Sequence, residues 1–258
     1  ALQVPVVMSA RGSDVNVKAR NPMMRRWILW ASRRADAVIA VSRDLSAKLK
    51  LMGIPEEKIH TLQNGVDLDK FRPADGCAVR SKYGLTGDVL ASVGNLIEGK
   101  GHHLAIESLA RLPGVSLIIV GEGPDRRRLE QLARKFGVSD RVRFVGLVPH
   151  EEISEIYSAA DISVLASANE GMPNVVLESI ACGTSVVATN VGGVSEIIKA
   201  PAAGRIMADR SADSLVRTTS EMLNAPRDRH ETREFARQFG WHRTIRRQVA
   251  LYEQVATP

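Results

Sequence analysis

Two cysteines in 258 residues, Cys77 and Cys182, are too few and too irregularly placed for a disulfide framework. A reduced, cytoplasmic setting follows as the expectation. No apolar run approaches the ~20 residues that a membrane-spanning helix needs. There is no internal repeat and no low-complexity tract. Metal ligands at workable spacing are also lacking. His102 and His103 are adjacent, so on a helix they point apart, and no Cys or Asp partner accompanies them. We expect no metal and no cofactor. Charge is scarcely one-sided: the net +6 favours anionic ligands or an anionic membrane surface and does not by itself indicate nucleic acid.

What is present is alternation. Short apolar runs at Ala37–Val41, Ile59–Leu62, Val89–Val93, Ser116–Val120, Arg143–Val145, Ile162–Leu165 and Ser185–Ala188 read as buried strands. Helical patterns lie between them, at 22–34, 42–52, 102–112, 125–137, 150–159, 175–182 and 192–199. A last helix, 241–256, carries Trp241, Ile245, Val249 and Tyr252 at helical spacing. The pattern predicts an α/β fold with parallel, doubly wound sheets, which bind ligands at the C-terminal ends of their strands. Turn-rich sequence from Asn64 to Gly76 marks a boundary. We expect 1–68 to be the end of one Rossmann-like domain, 69–240 to be a second and complete one, and 241–258 to cross back to the first. The opening run Leu2–Met8 already reads as a strand, which predicts that the chain lacks its natural N-terminus.

Three loops at strand ends carry the chemistry. The most informative is Glu170-Gly171-Met172-Pro173-Asn174-Val175, which runs from a strand into a helix that carries Glu178. The first amides of a helix lack partners within it and point outward, so this junction is an anion site. Glu170 stands at the loop mouth and Glu178 further along the helix, at ~1.5 Å per residue, so both can reach one elongated ligand. A nucleotide sugar has that shape: an anion with hydroxyls on either side. The second loop, Gly94-Asn95 to Lys100-Gly101, lets backbone approach a ligand and offers a point charge suited to phosphate. It reads equally as a plain turn with a solvated lysine. The third, Gly121-Glu122-Gly123-Pro124, is a tight turn that also permits close approach to a base or phosphate.

Taken together, Gly94-x-Leu96-x-x-x-Lys100-Gly101, Gly121-x-Gly123-Pro124, Glu170-x7-Glu178 and Gly192-Gly193-Val194-x-Glu196-Ile197 resemble the family 4 retaining glycosyltransferases. Val41-Ser42, Asn64-Gly65-Val66-Asp67 and Phe71-x-Pro73 resemble that family's approach to its interdomain linker. The resemblance covers essentially the whole chain, in order. Within the family, Arg11-Gly12-Ser13-Asp14-Val15-Asn16 is most similar to bacterial enzymes of teichuronic acid and other surface-polysaccharide assembly.

The resemblance implies the GT-B fold, two Rossmann-like domains facing across a cleft, with the first domain partial here. It implies that a nucleoside-diphosphate sugar, UDP- in preference to GDP-linked, is the donor. Lys100 would grip the diphosphate, Glu170 the sugar hydroxyls and Glu178 the ribose. Lys100 and Glu170 are the catalytic candidates. Gly171, Met172, Pro173, Asn174 and Val175 would line the donor site, and the amides between Met172 and Val175 would hold the sugar and the phosphates. Gly94, Asn95, Gly121, Glu122, Gly123, Gly146 and Leu147 would complete the donor site, with Glu122 and the Val145-Gly146-Leu147 stretch near the base. Arg11, Ser13 and Asp14 fall on the acceptor side. Retention with no evident protein nucleophile implies front-face attack, the leaving phosphate oxygen helping to take the acceptor proton.

Two departures bear on this. The family usually has Arg where Asn95 stands, so diphosphate binding leans harder on Lys100 and the helix amides. It often has His where Arg11 stands, and Arg cannot accept a proton. By its own residues Asp14 reads as a turn or cap residue.

The helix 22–34 has two readings. Arg25, Arg26, Arg33 and Arg34 snorkel around core tryptophans Trp27 and Trp30, or the same face meets anionic lipid headgroups. The expected function is hexosyl transfer to a glycan or lipid-linked acceptor in the cytoplasm, at the inner-membrane face if the acceptor is lipid-linked. Two rivals remain: another enzyme of the same fold, such as a phosphorylase or epimerase, and a donor-binding module without turnover.

Overall fold

The computed structural model describes residues 4–256 and folds them around two parallel sheets. The first holds β1 (Val7–Ala10), β2 (Ala37–Ala40) and β3 (Ile59–Thr61), side by side in that order. The expected opening strand therefore starts late, at Val7, and its Leu2 lies outside the described residues. The second holds β4 (Asp88–Val93), β5 (Val115–Val120), β6 (Val142–Gly146), β7 (Ile162–Leu165), β8 (Val186–Ala188) and β9 (Gly204–Ile206). The central strands β4, β5, β7 and β8 form because they are short apolar runs buried on both faces. All six residues of β5, for example, are buried, and helices cover both faces of the sheet.

The order in the second sheet is β6-β5-β4-β7-β8-β9. Chain direction across the sheet reverses between β4 and β7. Loops leaving their C-terminal ends turn to opposite faces there and open a crevice, the usual ligand site of such sheets. Both informative loops begin at this point, one after β4 and the other after β7.

Helix starts follow local chemistry. Asn21 accepts from Met23 N and Met24 N, with Pro22 at the first helical position of Pro22–Arg34. Ser42 caps Arg43–Leu51, its Oγ accepting from Leu45 N at 3.2 Å. Ser211 caps Ala212–Leu223 in the same way. That helix, Cys77–Tyr83, Arg229–Ala236 and strand β9 are additions to the elements read from sequence.

One apolar core runs without interruption through both sheet units, from Val41 and Leu45 through Phe71 to Met172, Val176 and Phe239. The chain crosses between the units twice, and the crossings are paired. Val66 N donates to Phe239 O at 2.9 Å, and Trp241 N donates to Val66 O at 3.0 Å. The helix Trp241–Ala256 then lies on the first unit. Thr244 Oγ1 donates to Gln63 O, and Leu251 packs with Ala37, Ile39 and Leu62. Its stripe of Trp241, Ile245, Val249 and Tyr252 is not the buried face: each is 44–50% exposed. Among the described residues no helix is long and apolar enough to cross a membrane.

Candidate functional site

Lys100 follows β4 and Glu170 follows β7, and they meet across the crevice. Lys100 Nζ lies 2.7 Å from Glu170 Oε1, with Glu170 the more enclosed, at 12% side-chain exposure. Two chain segments far apart in sequence thus place an ammonium and a carboxylate together at the switch point. An anion arriving here would compete with Glu170 for Lys100, and in taking the lysine it would free a carboxylate to accept hydrogen bonds.

The Lys100 loop is held rigidly. Gly101 sits at φ 75°, and a Cβ there would come within 2.1 Å of Ala166 O, so glycine is required. Ala168 N donates to Gly99 O at 2.7 Å. Arg210 spans both sides, Nε to Ala166 O and Nη2 to Glu98 O. His102, buried beneath, bridges Ser92 Oγ and the Asn95 carbonyl at 2.8 and 3.2 Å. With Ser92 donating to Nδ1, Nε2 carries the proton that reaches Asn95 O. Burial pushes this imidazole down to about 4 from 6.5, against the raising effect of its bond to Asn95.

A pH dependence of stability follows. The folded protein keeps His102 neutral while the unfolded chain takes up a proton near 6.5. The stabilisation is fully present above that value and is lost as pH falls toward about 4. At ~1.4 kcal/mol per pH unit the loss is about 3 kcal/mol. Urea unfolding of wild type and His102→Gln at neutral and acid pH checks this. The variant should lose less stability than wild type on acidification, and parallel curves would refute it.

The helix Asn174–Ala181 starts at Pro173 with no side-chain cap and no acid in its first turn. Its leading amides, from Asn174 and Val175, are offered to an external anion. Four residues along, Glu178 accepts from Tyr157 Oη at 3.0 Å through Oε2. Burial raises the Glu178 carboxyl above its ordinary value, while Tyr157, His150 and Lys70 favour the charged form. Glu170 and Glu178 thus differ in surroundings: one is ion-paired at the crevice mouth, the other is anchored deep on the helix.

Other expected donor residues are placed as follows. Gly94 leads the Lys100 loop, and its Cα faces the lysine's methylenes. Asn95 is exposed at the loop tip. Gly121 and Gly123 pack on the Gly94 and Leu96 carbonyls, joining the second and third loops. Glu122 is exposed and pairs with Arg126 at 3.1 Å. Gly146 ends β6 beside Glu122, and Leu147 is 77% exposed.

From the first unit, Gly12 (φ 126°) meets Gly171 so closely that a Cβ on either would lie within 2.7 Å of the other's loop backbone. This contact brings Arg11 to the crevice rim. Asp14 Oδ1 accepts from Arg11 N and Gly12 N, so this carboxylate is committed to its own turn. Ser13 begins the short helix Ser13–Asn16. Two polar residues that the sequence reading gave no site role hold the carboxylate loop, and a third, Glu196, ties the second unit to the first. Asn16 Nδ2 donates to Glu170 O, and Asn64 Nδ2 donates to Met172 O and Asn174 Oδ1. Glu196 accepts from Arg43 N and Gln63 Nε2, both at 2.6 Å. All three stood in noted motifs, but only the fold gives them these partners.

Residues 80–239 match the family described as Glycosyl transferases group 1, and residues 1–70 match Glycosyltransferase Family 4. The chain belongs to the group 1 glycosyl transferase family. It is 34% identical over 244 residues to D-inositol 3-phosphate glycosyltransferase 2 of Catenulispora acidiphila, covering 85% of this chain and 56% of that protein. To the D-inositol 3-phosphate glycosyltransferase of Geodermatophilus obscurus it is 34% identical over 246 residues, covering 86% and 53%. The chain thus spans about half the length of these curated relatives. Among solved structures, Anabaena Alr3699/HepE in complex with UDP and glucose superposes with a TM-score of 0.86 at 23% identity, over 98% of this chain and 72% of that one. Sucrose-phosphate synthase from Thermosynechococcus elongatus gives 0.83 at 25%, over 96% and 67%. The fold is that of the GT-B glycosyltransferases, as the resemblance implied.

Proposed function

We propose that this protein transfers a hexosyl unit, with retention, from a nucleoside-diphosphate sugar, with UDP as the carrier. The observation that carries the reading is the Lys100–Glu170 pair spanning the β4/β7 crevice beside an uncapped helix N-terminus. Lys100 and the Asn174 and Val175 amides stabilise charge on the departing diphosphate, where preorganised donors act most strongly. Glu170, released from Lys100, accepts sugar hydroxyls, and Glu178 accepts from the ribose. Thermal shift with UDP- and GDP-sugars tests the donor: a ligand at a hundred times its Kd stabilises by about 2.7 kcal/mol. A shift with GDP-sugars alone would overturn the choice of base.

For the acceptor we propose a glycan or lipid-linked glycan of the cell surface, met at the cytoplasmic face of the membrane. The helix Pro22–Arg34 supports this. Its tryptophans, expected in the core on one reading, stand out instead: Trp27 is 59% and Trp30 52% exposed, beside exposed Met23 and Met24. Arg34 stacks on Trp30 at 4.4 Å, and the helix has no acidic residue. Exposed aromatic and basic side chains on one helix suit an anionic interface. Vesicles containing anionic lipid should bind the protein at low salt and release it as the Debye length falls below about 10 Å. Absence of binding at low salt would remove the membrane from the account. The relatives' names favour a second reading, a phosphorylated polyol such as D-inositol 3-phosphate as acceptor, with Arg11 at the crevice rim as its phosphate contact. Product analysis with both acceptor classes separates the two.

A further inference from the structure

Beside the paired crossings lies a cavity of about 460 Å³. Its walls come from both sheet units and from the C-terminal helix. Arg43 heads the helix after β2, Lys199 follows β8 and its short helix, and Arg243 and Arg247 project from the first two turns of Trp241–Ala256. Four cations thus surround one space. Among the described residues none of the four has a carboxylate partner, and the guanidinium of Arg247 makes only a 3.1 Å bond to Thr61 O. The nearby carboxylate of Glu196 already accepts from Arg43 N and Gln63 Nε2. The helix Trp241–Ala256 adds no acid in its first turn. Four like charges around one cavity repel one another, and a bound anion relieves that repulsion. The remaining lining is largely polar, and Gln63 keeps one amide hydrogen beyond its bond to Glu196, so it suits a charged and hydroxylated ligand better than an apolar one.

We propose that this cavity is a second anion site, separate from the Lys100 crevice, that takes a soluble, multiply charged phosphate compound. Lys100, Glu170 and Glu178 are absent from its walls, and Asn64 alone is shared with the carboxylate loop. Its position gives the site a consequence. Arg43 moves with the first unit and Lys199 with the second, so an anion gripped by both fixes the angle between them. Asn64 passes that constraint to Met172 O and Asn174. Occupancy of this cavity is therefore coupled to the geometry of the crevice. This inference is independent of the donor chemistry proposed above.

Calorimetric titration with inorganic pyrophosphate tests it. Three proteins are compared: wild type, a Lys199→Glu/Arg243→Glu double variant, and Lys100→Ala. Both replaced cavity residues are solvent-exposed, so the double variant should fold. It should bind UDP as wild type does while losing pyrophosphate affinity by about 10- to 100-fold at one site. Lys100→Ala should keep that site. Separate Lys199→Gln and Arg243→Gln variants give smaller losses and cover the case in which charge reversal perturbs folding. Unchanged pyrophosphate binding in all the cavity variants, or its complete loss in Lys100→Ala, would overturn the proposal. So would cavity variants that lose binding to phosphatidylglycerol vesicles, since the ligand would then be a lipid headgroup.

Discussion

Lys100→Ala should lower sugar transfer by roughly 100-fold, about 3 kcal/mol of lost transition-state stabilisation. The reason is geometric. Lys100 is the ammonium at the crevice between β4 and β7, and Asn95 offers no second cation on the same loop. The effect should fall on kcat more than on KM, because charge on the diphosphate grows as the glycosidic bond breaks. Lys100→Arg should restore little, since a planar fork does not replace a point charge held 2.7 Å from Glu170. Free-UDP release under saturating donor is the readout. A rate equal to that of wild type would remove Lys100 from the reaction.

The two glutamates should separate cleanly. Glu178→Ala should weaken UDP and UDP-sugar alike, by about 100-fold if two charged hydrogen bonds to ribose are lost. Glu170→Ala should weaken the UDP-sugar and spare UDP, if the proposed sugar contact is its role. Glu178→Gln adds a stability signature. Burial holds the Glu178 carboxyl above its ordinary value, so the folded state favours the protonated form. The sign follows: stability is greatest below the unfolded value of 4.5 and declines as pH rises through the raised one. Removing the charge should therefore raise the melting temperature of the ligand-free protein at neutral pH while nucleotide binding collapses. Calorimetry with both ligands and a melting curve give the result, and equal losses for the two glutamates would end the division of labour.

Much of this arrangement was legible in the sequence because it is local. β5 and β7 are apolar runs closed by turn residues, and the loop from Glu170 to Asn174 declares a strand-to-helix junction by its Gly and Pro. β9 escaped because it is three residues long with Arg205 exposed in the middle. The helix Ala212–Leu223 carries Thr218, Thr219 and Ser220 inside its apolar pattern, which blurs the period. Its cap, Ser211 accepting from Ser214 N, was the available signal. The tryptophans of Pro22–Arg34 and the stripe of the last helix show the opposite limit. Periodicity marks an apolar face but does not say what that face meets. Long-range partners left no local trace: Asn16 on the Glu170 carbonyl spans 154 residues, and Gln63 on Glu196 spans 133. His102 gave no hint of supporting Asn95, because its role depends on Ser92 below it.

The most direct measurement is a crystal structure of the chain with UDP bound. The account predicts the diphosphate at the C-terminal ends of β4 and β7, within about 3 Å of Lys100 Nζ and of the Asn174 and Val175 amides. The ribose hydroxyls should then rest on Glu178, with Glu170 turned free of the lysine. A nucleotide lodged elsewhere, with the Lys100–Glu170 pair intact, would contradict it.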